Sequence, residues 1–262
     1  MPWVRPCRND RPVIGAREIP DSRRREAIQT RAMNIALDGS PPGRVAIVTG
    51  GSRGVGRAMI RRLAASDYAV VVNYLHDQRA AESTVEAILA DNSDAVAVRA
   101  DVADDLDVER LFAETIAAFG GIDVVVHAVG SRITATPLAE AGLDEFDALV
   151  RINTRATFIV NREAARHLRS GGSIVNLSSS AEGLSLTTHG LYVSIKAATD
   201  VLTRALALEL RERDITVNAV SLEVHRPCAP ERVADVIAYL LSDHGHRLTG
   251  QVLGVDDREL RP

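Results

Sequence analysis

The sequence has 262 residues, of which 46% are hydrophobic, 25% charged and 3% aromatic, a composition typical of a globular chain and unlike disordered, collagenous or coiled-coil sequences. Its formal net charge of -4 lacks the basic surplus of a protein that binds the phosphate backbone, so no nucleic-acid partner is expected. No uncharged apolar stretch reaches the roughly 18 residues that a membrane-spanning helix needs, so no membrane partner is expected.

Residues 1–43 differ from the rest of the chain. They contain eight arginines, five acidic residues and several prolines, and they show no sustained apolar period. The segment lacks the apolar core of a signal peptide, and its acidic residues are atypical of a transit peptide. We therefore expect residues 1–43 to form a disordered or loosely docked arm, with Met33 as a plausible alternative start. Residues 44–262 are expected to form a single domain.

From Arg44 onward, short β-branched runs alternate with longer helical patterns. The short runs are apolar on both faces, as in parallel strands covered by helices, and predict strands at Val45–Thr49, Ala69–Asn73, Ala95–Arg99, Val124–Val129, Ser173–Leu177, Ile215–Val220 and Gln251–Val255. Helices are predicted at Val55–Ala65, Arg79–Ala90, Asp107–Phe119, Asp144–Leu168, Tyr192–Arg211 and Pro230–Leu241. This alternation predicts an α/β protein with a doubly wound, parallel seven-stranded sheet, a Rossmann fold.

A glycine-rich turn joins the first strand to the first helix and favours the open sheet over a closed barrel. The turn reads Thr49-Gly50-Gly51-Ser52-Arg53-Gly54-Val55-Gly56, and its place between a strand and a helix is that of a dinucleotide-binding fingerprint. Glycine permits the tight turn, and the helix N-terminus offers N–H groups to a pyrophosphate. The predicted cofactor-binding residues here are Gly50, Ser52, Arg53, Gly54, Val55 and Gly56.

The end of the second strand indicates which dinucleotide binds. A carboxylate there would bind the ribose 2′-hydroxyl and repel a 2′-phosphate, whereas this chain has Asn73 and Tyr74, which we count as cofactor-binding residues. Arg53 in the turn would attract a 2′-phosphate, although it could also be one more solvated arginine. Asp77 lies too far along the chain to be a confident ribose ligand. These residues favour NADP(H) over NAD(H).

Tyr192 and Lys196 are four residues apart at the start of a predicted helix, so their side chains share one face. Lys196 is the only lysine among 31 basic residues, which suggests a site that requires a compact ammonium. An ammonium about 4 Å away would lower a tyrosine pKa by roughly three units, so that Tyr192 could act as a general acid or base near pH 7. The alternative is a chance pair on a surface helix.

Together these residues resemble the short-chain dehydrogenases/reductases, especially the 3-oxoacyl-[acyl-carrier-protein] reductase-like group. The resemblance covers about Arg44 to Asp256. Its elements are the glycine-rich turn, Asp101-Val102 after the third strand, Asn153, Ser178-Ser179-Ser180, Tyr192-Val193-Ser194-Ile195-Lys196 and Thr249-Gly250-Gln251-Val252.

The resemblance implies catalytic roles for four residues. Tyr192 would protonate the substrate carbonyl oxygen, and Lys196 would lower the pKa of Tyr192 and bind the nicotinamide ribose. Ser179 would orient the carbonyl, with the register uncertain by one residue toward Ser178 or Ser180. Asn153 would hold a water in a proton relay, although a helix-interior asparagine can equally be satisfied by the local backbone.

The resemblance also implies cofactor contacts from residues that follow the third and fourth strands. Asp101 and Val102 would lie at the adenine, although an aspartate there could also cap a helix. The family usually has Asn-Asn-Ala-Gly after the fourth strand, where this chain has His127-Ala128-Val129-Gly130. We expect Ala128 and Gly130 to border the cofactor, and we interpret His127 as a hydrogen-bonded structural histidine.

Two departures from the family concern the substrate side. The Pro-Gly pair that the family usually has after the sixth strand is replaced here by Leu222-Glu223. In addition, only residues 221–226 connect the sixth strand to the start of the next helical segment. The substrate loop is therefore shortened, and such a link cannot fold over the nicotinamide as a lid. An open pocket would favour bulky or carrier-tethered substrates over small ones.

These observations indicate an NADPH-dependent carbonyl reductase that acts on a ketone or aldehyde, with an acyl thioester or a polyketide-like molecule among the candidate substrates. The alternative is a nucleotide-binding regulatory or structural protein with little or no turnover. The resemblance implies a homo-dimer or homo-tetramer built partly from the Asp144–Leu168 and Tyr192–Arg211 helices. Cys7 and Cys228 have no partners at metal-ligand spacing and are too few for a disulfide framework, so we expect a cytoplasmic protein without a metal site.

Overall fold

The computed structural model describes residues 43–130, 135–179, 186–222 and 228–255, and at residues 186 and 187 it describes the backbone alone. Four sequence predictions fall outside these ranges. They concern the N-terminal arm up to residue 42, the alternative register at Ser180, the Glu223 side of the nicotinamide border with the shortened connection, and the part of the single domain beyond Val255.

Seven parallel strands form one sheet with the order β3-β2-β1-β4-β5-β6-β7. They are β1 Val45–Thr49, β2 Ala69–Tyr74, β3 Ala95–Arg99, β4 Ile122–His127, β5 Leu168–Ser179, β6 Thr216–Leu222 and β7 Val252–Val255. The doubly wound Rossmann fold is thus confirmed. The strand order reverses between β1 and β4, and ligands of such sheets bind at the carboxyl ends of the strands at this switch point.

The strand ends differ from the sequence prediction in ways that matter for the site. β4 ends at His127, so Ala128 and Val129 belong to the loop at the switch point. β6 continues to Leu222, which pairs with Ser179 across β5 and Val255 across β7. Leu222 is therefore a strand residue, and residues 223–227 lie outside the described ranges.

Seven α-helices flank the sheet in the described part of the chain. They are α1 Gly54–Ala64, α2 Gln78–Ala90, α3 Asp105–Phe119, α4 Leu143–Leu149, α5 Ala156–His167, α6 Leu186–Glu209 and α7 Pro230–Leu240. The single helix predicted over Asp144–Leu168 is wrong, because a π-helical segment, Val150–Arg155, separates α4 from α5. None of these helices combines the length and apolarity that crossing a bilayer requires.

Two hydrophobic clusters cover the two faces of the sheet. On one face, alternate strand residues such as Ile47 pack with α3, α5 and α6, and we call this the α6 face. On the other face, their neighbours such as Val48 pack with α1, α2 and α7. Burial on both faces explains the continuous apolar runs of the strands. The carboxyl ends of the strands are the place where polar side chains replace this apolar pattern.

Candidate active site

The glycine-rich turn lies at the carboxyl end of β1 and leads into α1. A Cβ atom placed on Gly56 would lie 2.2 Å from the carbonyl oxygen of Gly50, so only glycine fits where α1 passes beneath the turn. Gly50 has φ +65, a left-handed conformation that glycine adopts without strain. Arg53, the N-cap residue of α1, makes no side-chain capping hydrogen bond. The Arg53 side chain therefore leaves the first-turn amides of α1 uncapped, and this turn fits the pyrophosphate of a dinucleotide.

Asn73 supports this turn from the end of β2. Its Oδ1 accepts a hydrogen bond from Gly50 N (3.3 Å), and its Nδ2 donates to Ala100 O (3.0 Å). Its backbone oxygen also accepts from Gly51 N (3.0 Å). Both Asn73 and Tyr74 are buried, whereas Arg53 is exposed at the rim. Asn73 thus links the carboxyl ends of β1, β2 and β3. Of Asn73, Tyr74 and Arg53, only the exposed Arg53 side chain can reach a cofactor in the cleft from the rim.

Asp101 follows β3 and has a partner that the sequence gave no reason to expect. Its carboxylate accepts hydrogen bonds from Ala103 N (2.9 Å) and from the Arg151 guanidinium (2.6 Å). Burial raises the pKa of Asp101, but these bonds outweigh burial and hold it below its ordinary value. Asp104, not Asp101, caps α3, through a hydrogen bond from Asp107 N. Val102 is buried in the core of the α6 face.

The π-helical segment brings Asn153 into the interior. Asn153 is fully buried, and its Nδ2 donates a hydrogen bond to Leu149 O (2.9 Å). This bond to the backbone of its own helical segment is the kind that the alternative interpretation of Asn153 predicted. On either side of Asn153, Arg151 bonds to Asp101 and Arg155 donates to Ala103 O (3.0 Å). The segment is therefore fixed to the loop after β3. Such π-helical turns are frequent at functional sites.

Ser179 and Tyr192 meet at the carboxyl end of β5. The Ser179 side chain is hydrogen-bonded to Tyr192, and its Oγ also donates to Leu222 O (3.2 Å). Ser178 is buried on the opposite face of the strand and makes no side-chain hydrogen bond within the described residues. Of these two serines, the structure brings Ser179 to the tyrosine. Tyr192 lies in the second turn of α6, since this helix begins at Leu186 and not at Tyr192 as predicted.

Lys196 lies one turn further along α6 and is only 4% exposed. Its ammonium donates a hydrogen bond to Leu177 O (3.2 Å). A Cβ atom placed on Gly130 would lie 3.2 Å from Lys196 Nζ and 3.5 Å from Asn153 Oδ1. The lysine and the asparagine therefore converge at Gly130, in the loop that follows β4.

The charges at this site differ from the sequence prediction. Burial raises the pKa of Tyr192 above its ordinary value, and the hydrogen bond with Ser179 opposes this only in part. The net direction of the Tyr192 pKa is therefore opposite to the predicted lowering, because burial dominates. The Lys196 ammonium is bonded to Leu177 O. Burial also lowers the pKa of Lys196 to about 8, against a smaller opposing effect of Asp200. At neutral pH the site therefore holds a protonated tyrosine beside a charged lysine.

The arrangement can donate a proton to a negatively charged oxygen. A hydroxyl pair from Ser179 and Tyr192 can hold a carbonyl oxygen, and a nearby ammonium stabilises the phenolate that remains after proton transfer. No group of three or more His, Cys, Asp or Glu side chains in the described ranges is arranged to hold a metal ion. With the turn at β1, the fold and the site define an oxidoreductase that depends on a nicotinamide dinucleotide.

Comparison with known proteins identifies the family. Residues 44–226 match the family model described as short chain dehydrogenase. The chain belongs to the short-chain dehydrogenase/reductase family, whose members are NAD(P)-dependent oxidoreductases. The narrower likeness to 3-oxoacyl-[acyl-carrier-protein] reductases stays a prediction.

Two relatives illustrate the similarity in sequence. The chain is 36% identical over 255 residues to versicolorin reductase 1 from Aspergillus parasiticus, covering 84% of this chain and 97% of that protein. It is 39% identical over 179 residues to the hydroxynaphthalene reductase arp2 from Aspergillus fumigatus, covering 68% of this chain and 65% of that protein. Both relatives carry the name of a reductase.

Two solved structures show the same fold. A dehydrogenase/reductase from Sinorhizobium meliloti has a TM-score of 0.77 at 34% identity, covering 86% of this chain and 98% of that chain. A short chain dehydrogenase from Burkholderia cenocepacia, solved in complex with NADP, has a TM-score of 0.76 at 33% identity, covering 81% of this chain and 96% of that chain.

Burial of Lys196 generates a prediction about stability. We expect the Lys196→Met variant to have a free energy of unfolding roughly 3 kcal/mol larger than that of the parent protein at pH 7, because the parent buries an ammonium whose pKa falls from 10.5 to about 8. Between pH 8 and 10 the unfolded chain keeps a proton that the folded protein has released. The parent therefore becomes more stable as the pH rises through this window, and the advantage of the variant shrinks.

Urea denaturation at pH 7, 8 and 9.5 measures this difference. Tyr192→Phe is the matched control, since it leaves Lys196 in place and should keep the pH dependence of the parent between pH 8 and 9.5. A methionine variant no more stable than the parent at pH 7 would contradict the charge cost assigned to Lys196.

Proposed function

We propose that the protein is an NADPH-dependent carbonyl reductase that acts on a ketone or aldehyde. The observation that carries this proposal is the cluster of Ser179, Tyr192 and Lys196 at the carboxyl end of the sheet, next to a turn shaped for a pyrophosphate. When bound, NADPH would supply a hydride to the carbonyl carbon. The chain's own residues would hold the carbonyl oxygen and provide its proton.

The proton chemistry follows from the charges of the site. Ser179 and Tyr192 hydrogen-bond the carbonyl oxygen, and the Tyr192 hydroxyl, kept protonated by its raised pKa, donates its proton as negative charge develops there. Lys196 stabilises the resulting phenolate and holds the nicotinamide ribose. Asn153 takes part in returning a proton to this pair through water. The same groups would support alcohol oxidation in the reverse direction.

The choice of NADPH rests on the end of β2 and on Arg53. β2 ends in Asn73 and Tyr74, so no carboxylate opposes a 2′-phosphate there, and Arg53 is exposed at the rim of the turn. Asp77, the nearest following carboxylate, is engaged as the N-cap of α2 through Ala80 N (3.0 Å). A bound NADP in the Burkholderia cenocepacia structure agrees with this preference. Asp101 and Val102 are proposed to border the adenine.

The substrate is proposed to be a bulky ketone. Versicolorin reductase 1 is named for versicolorin, and the hydroxynaphthalene reductase is named for a fused-ring aromatic molecule. A chain this similar to them is suited to a bulky, polyketide-like ketone. The short connection that the sequence predicts after the sixth strand would leave room for such a ring system, or for an acyl thioester. The second candidate function is a nucleotide-binding regulatory protein, which the altered nicotinamide border at residues 222–223 favours.

The protein is also proposed to associate with copies of itself. Three large apolar side chains are exposed on α5 and α6, namely Phe158 (50%), Val201 (63%) and Leu208 (75%). Lys196 on the same helix faces the sheet, so α6 presents the site on one side and this apolar surface on the other. A dimer or tetramer formed through α5 and α6 would bury these side chains.

For catalysis, we expect Tyr192→Phe to lower kcat at least 100-fold while the Kd for NADPH stays unchanged, since the change removes the transferable proton and keeps the ring. NADPH oxidation with a panel of aliphatic and fused-ring ketones measures kcat, and a fluorescence titration measures Kd. Near-native turnover in the variant would refute the role of Tyr192. NADPH binding by the parent without turnover on any ketone would favour the regulatory alternative.

For cofactor choice, we expect the parent to bind NADPH more tightly than NADH, and Arg53→Ala to reduce this preference about ten-fold by removing a charged hydrogen bond to the 2′-phosphate. Arg204→Ala, an exposed arginine on α6, is the matched control and should leave the preference intact. Equal affinities of the parent for the two cofactors would show that Arg53 does not select NADPH.

For association, we expect the double variant Val201→Glu and Leu208→Glu to sediment as a monomer under conditions in which the parent sediments as a dimer or tetramer. Burying two carboxylates at an apolar contact is unfavourable. Leu89→Glu is the control, because Leu89 is an exposed leucine on α2, away from these helices. A monomeric parent would contradict the proposed assembly.

A further inference from the structure

The loop after β3 is held in place by its own strand and helix. Asp101 N donates a hydrogen bond to the Asp107 carboxylate on α3 (2.8 Å). Arg110, also on α3, binds that carboxylate (2.8 Å) and donates to the carbonyl oxygen of Arg99 at the end of β3 (2.8 Å). The position of Asp101 is therefore set from β3 and α3.

Two arginines of the π-helical segment reach this loop. The Arg151 guanidinium donates to Asp101 Oδ2 (2.6 Å), and Arg155 Nε donates to Ala103 O (3.0 Å). Although burial raises the pKa of Asp101, its bonds to Arg151 and to Ala103 N hold the pKa below its ordinary value. The carboxylate is therefore ionised at neutral pH, and the contact with Arg151 is an ion pair.

The opposite side of the same segment faces the interior and α6. Asn153 is fully buried, and its carbonyl oxygen accepts a hydrogen bond from Thr157 Oγ1 (2.6 Å). Thr154 Oγ1 donates to Ile195 O on α6 (3.4 Å), one residue before Lys196. The π-helical segment thus spans the distance between the loop after β3 and the helix that carries Tyr192 and Lys196.

The direction of the Asn153 side chain depends on the π-helical turn. Such turns are rare, with i→i+5 hydrogen bonds in place of i→i+4, so an α-helical turn of the same residues would point Asn153 elsewhere. In the structure, a Cβ atom on Gly130 would lie 3.5 Å from Asn153 Oδ1 and 3.2 Å from Lys196 Nζ. A small rotation of the segment would therefore change the surroundings of the ammonium.

The contact of Arg151 is the charged one among the bonds that hold the segment to its neighbours. Arg155 and Thr154 bond to backbone carbonyl oxygens, whereas Arg151 bonds to a carboxylate whose own position is fixed. Hydrogen bonds between ionised groups are stronger than those between neutral ones. The Arg151 side chain is also 53% exposed, so the guanidinium can be removed without opening a cavity in the core.

We propose that Arg151 is a positioning residue: through its ion pair with Asp101 it braces the π-helical segment against the loop after β3 and keeps Asn153 in place beside Lys196. The inference rests on the proposed function, which assigns proton transfer to this site. The competing role for Arg151 is a local one, in which it serves only the proposed adenine contact of Asp101.

The steady-state kinetics of Arg151→Met distinguish these two roles. We expect kcat at saturating NADPH to fall about ten-fold, because misplaced groups slow the proton transfer, while the Kd for NADPH stays within about three-fold of the parent value. The local role predicts the reverse, a raised Kd with the kcat of the parent. Thermal melting shows whether the variant is folded at the assay temperature. A folded variant with the kcat of the parent would overturn the proposal.

Three further variants test whether the effect comes from the ion pair. Arg151→Lys keeps a cation opposite Asp101 and should restore kcat to within a few-fold of the parent. Asp101→Asn should lower kcat like Arg151→Met, and the double variant should lose little more, since both changes break the same bond. Arg62→Met, which removes a partly exposed ion pair with Asp235 far from this segment, is the matched control and should keep the kcat of the parent. Independent, multiplying losses in the double variant would overturn the proposal.

A measurement without cofactor or turnover uses the single lysine of the chain. In protein labelled with ¹³C-lysine, the one side-chain Cε signal belongs to Lys196, whose pKa burial lowers to about 8. We expect Arg151→Met to raise this pKa toward its ordinary value, because a loosened segment admits water, and Arg62→Met to leave it unchanged. Asp200 and the neutral His127, the titratable groups that interact with this ammonium, are the same in both variants. An unchanged Lys196 titration in Arg151→Met would overturn the proposal.

The outcomes separate this inference from the proposed function. If the parent reduces no carbonyl but the Lys196 titration moves in Arg151→Met and not in Arg62→Met, the reductase proposal fails and the bracing role is supported. If the parent reduces a ketone and Arg151→Met has the same kcat and the same Lys196 titration, the bracing role alone fails.

Discussion

The hydrogen bond between the Lys196 ammonium and the Leu177 carbonyl oxygen ties the chemistry of the site to the sheet. It joins α6 to β5 at the strand's carboxyl end, where the side chains of Ser179 and Tyr192 also meet. An ammonium buried to this degree loses most of its hydration, so the fold must hold it against a substantial cost. The core on both faces of the sheet supplies the stability that makes such a site possible.

The surroundings of Lys196 are fixed by contacts that come from distant parts of the chain. Gly130 approaches from the loop after β4, and Asn153 approaches from the π-helical segment. That segment is itself fastened by Arg151 and Arg155 to the loop that carries Asp101. The predicted adenine side and the predicted proton-transfer side are therefore parts of one connected structure.

The sequence predicted the strands and the glycine-rich turn well because both depend on local patterns. β1 and β3 begin and end at the predicted residues, since β-branched runs and flanking turns define them. The π-helical segment could not be predicted, because over six residues its apolar spacing differs little from that of an α-helix. Its stabilising bonds also join residues far apart, as Arg151 and Asp101 are 50 positions from each other.

The site shows a similar division between local and distant causes. The spacing of Tyr192 and Lys196 placed both on one face of a helix, and the structure brings Ser179 to that tyrosine. The net direction of the Tyr192 pKa depends on burial by the whole fold, which a pairwise argument between Tyr192 and Lys196 leaves out. Asn73 likewise has its partners on β3 and in the turn, and spacing alone could not show that its side chain supports the backbone.

A protein whose only lysine is 4% exposed has unusual chemical properties. Its folded surface offers no side-chain amine to acylating reagents or to enzymes that attach groups to lysine. The rate of covalent labelling of Lys196 would therefore depend on how often the site opens to solvent. That rate would measure local opening of the site.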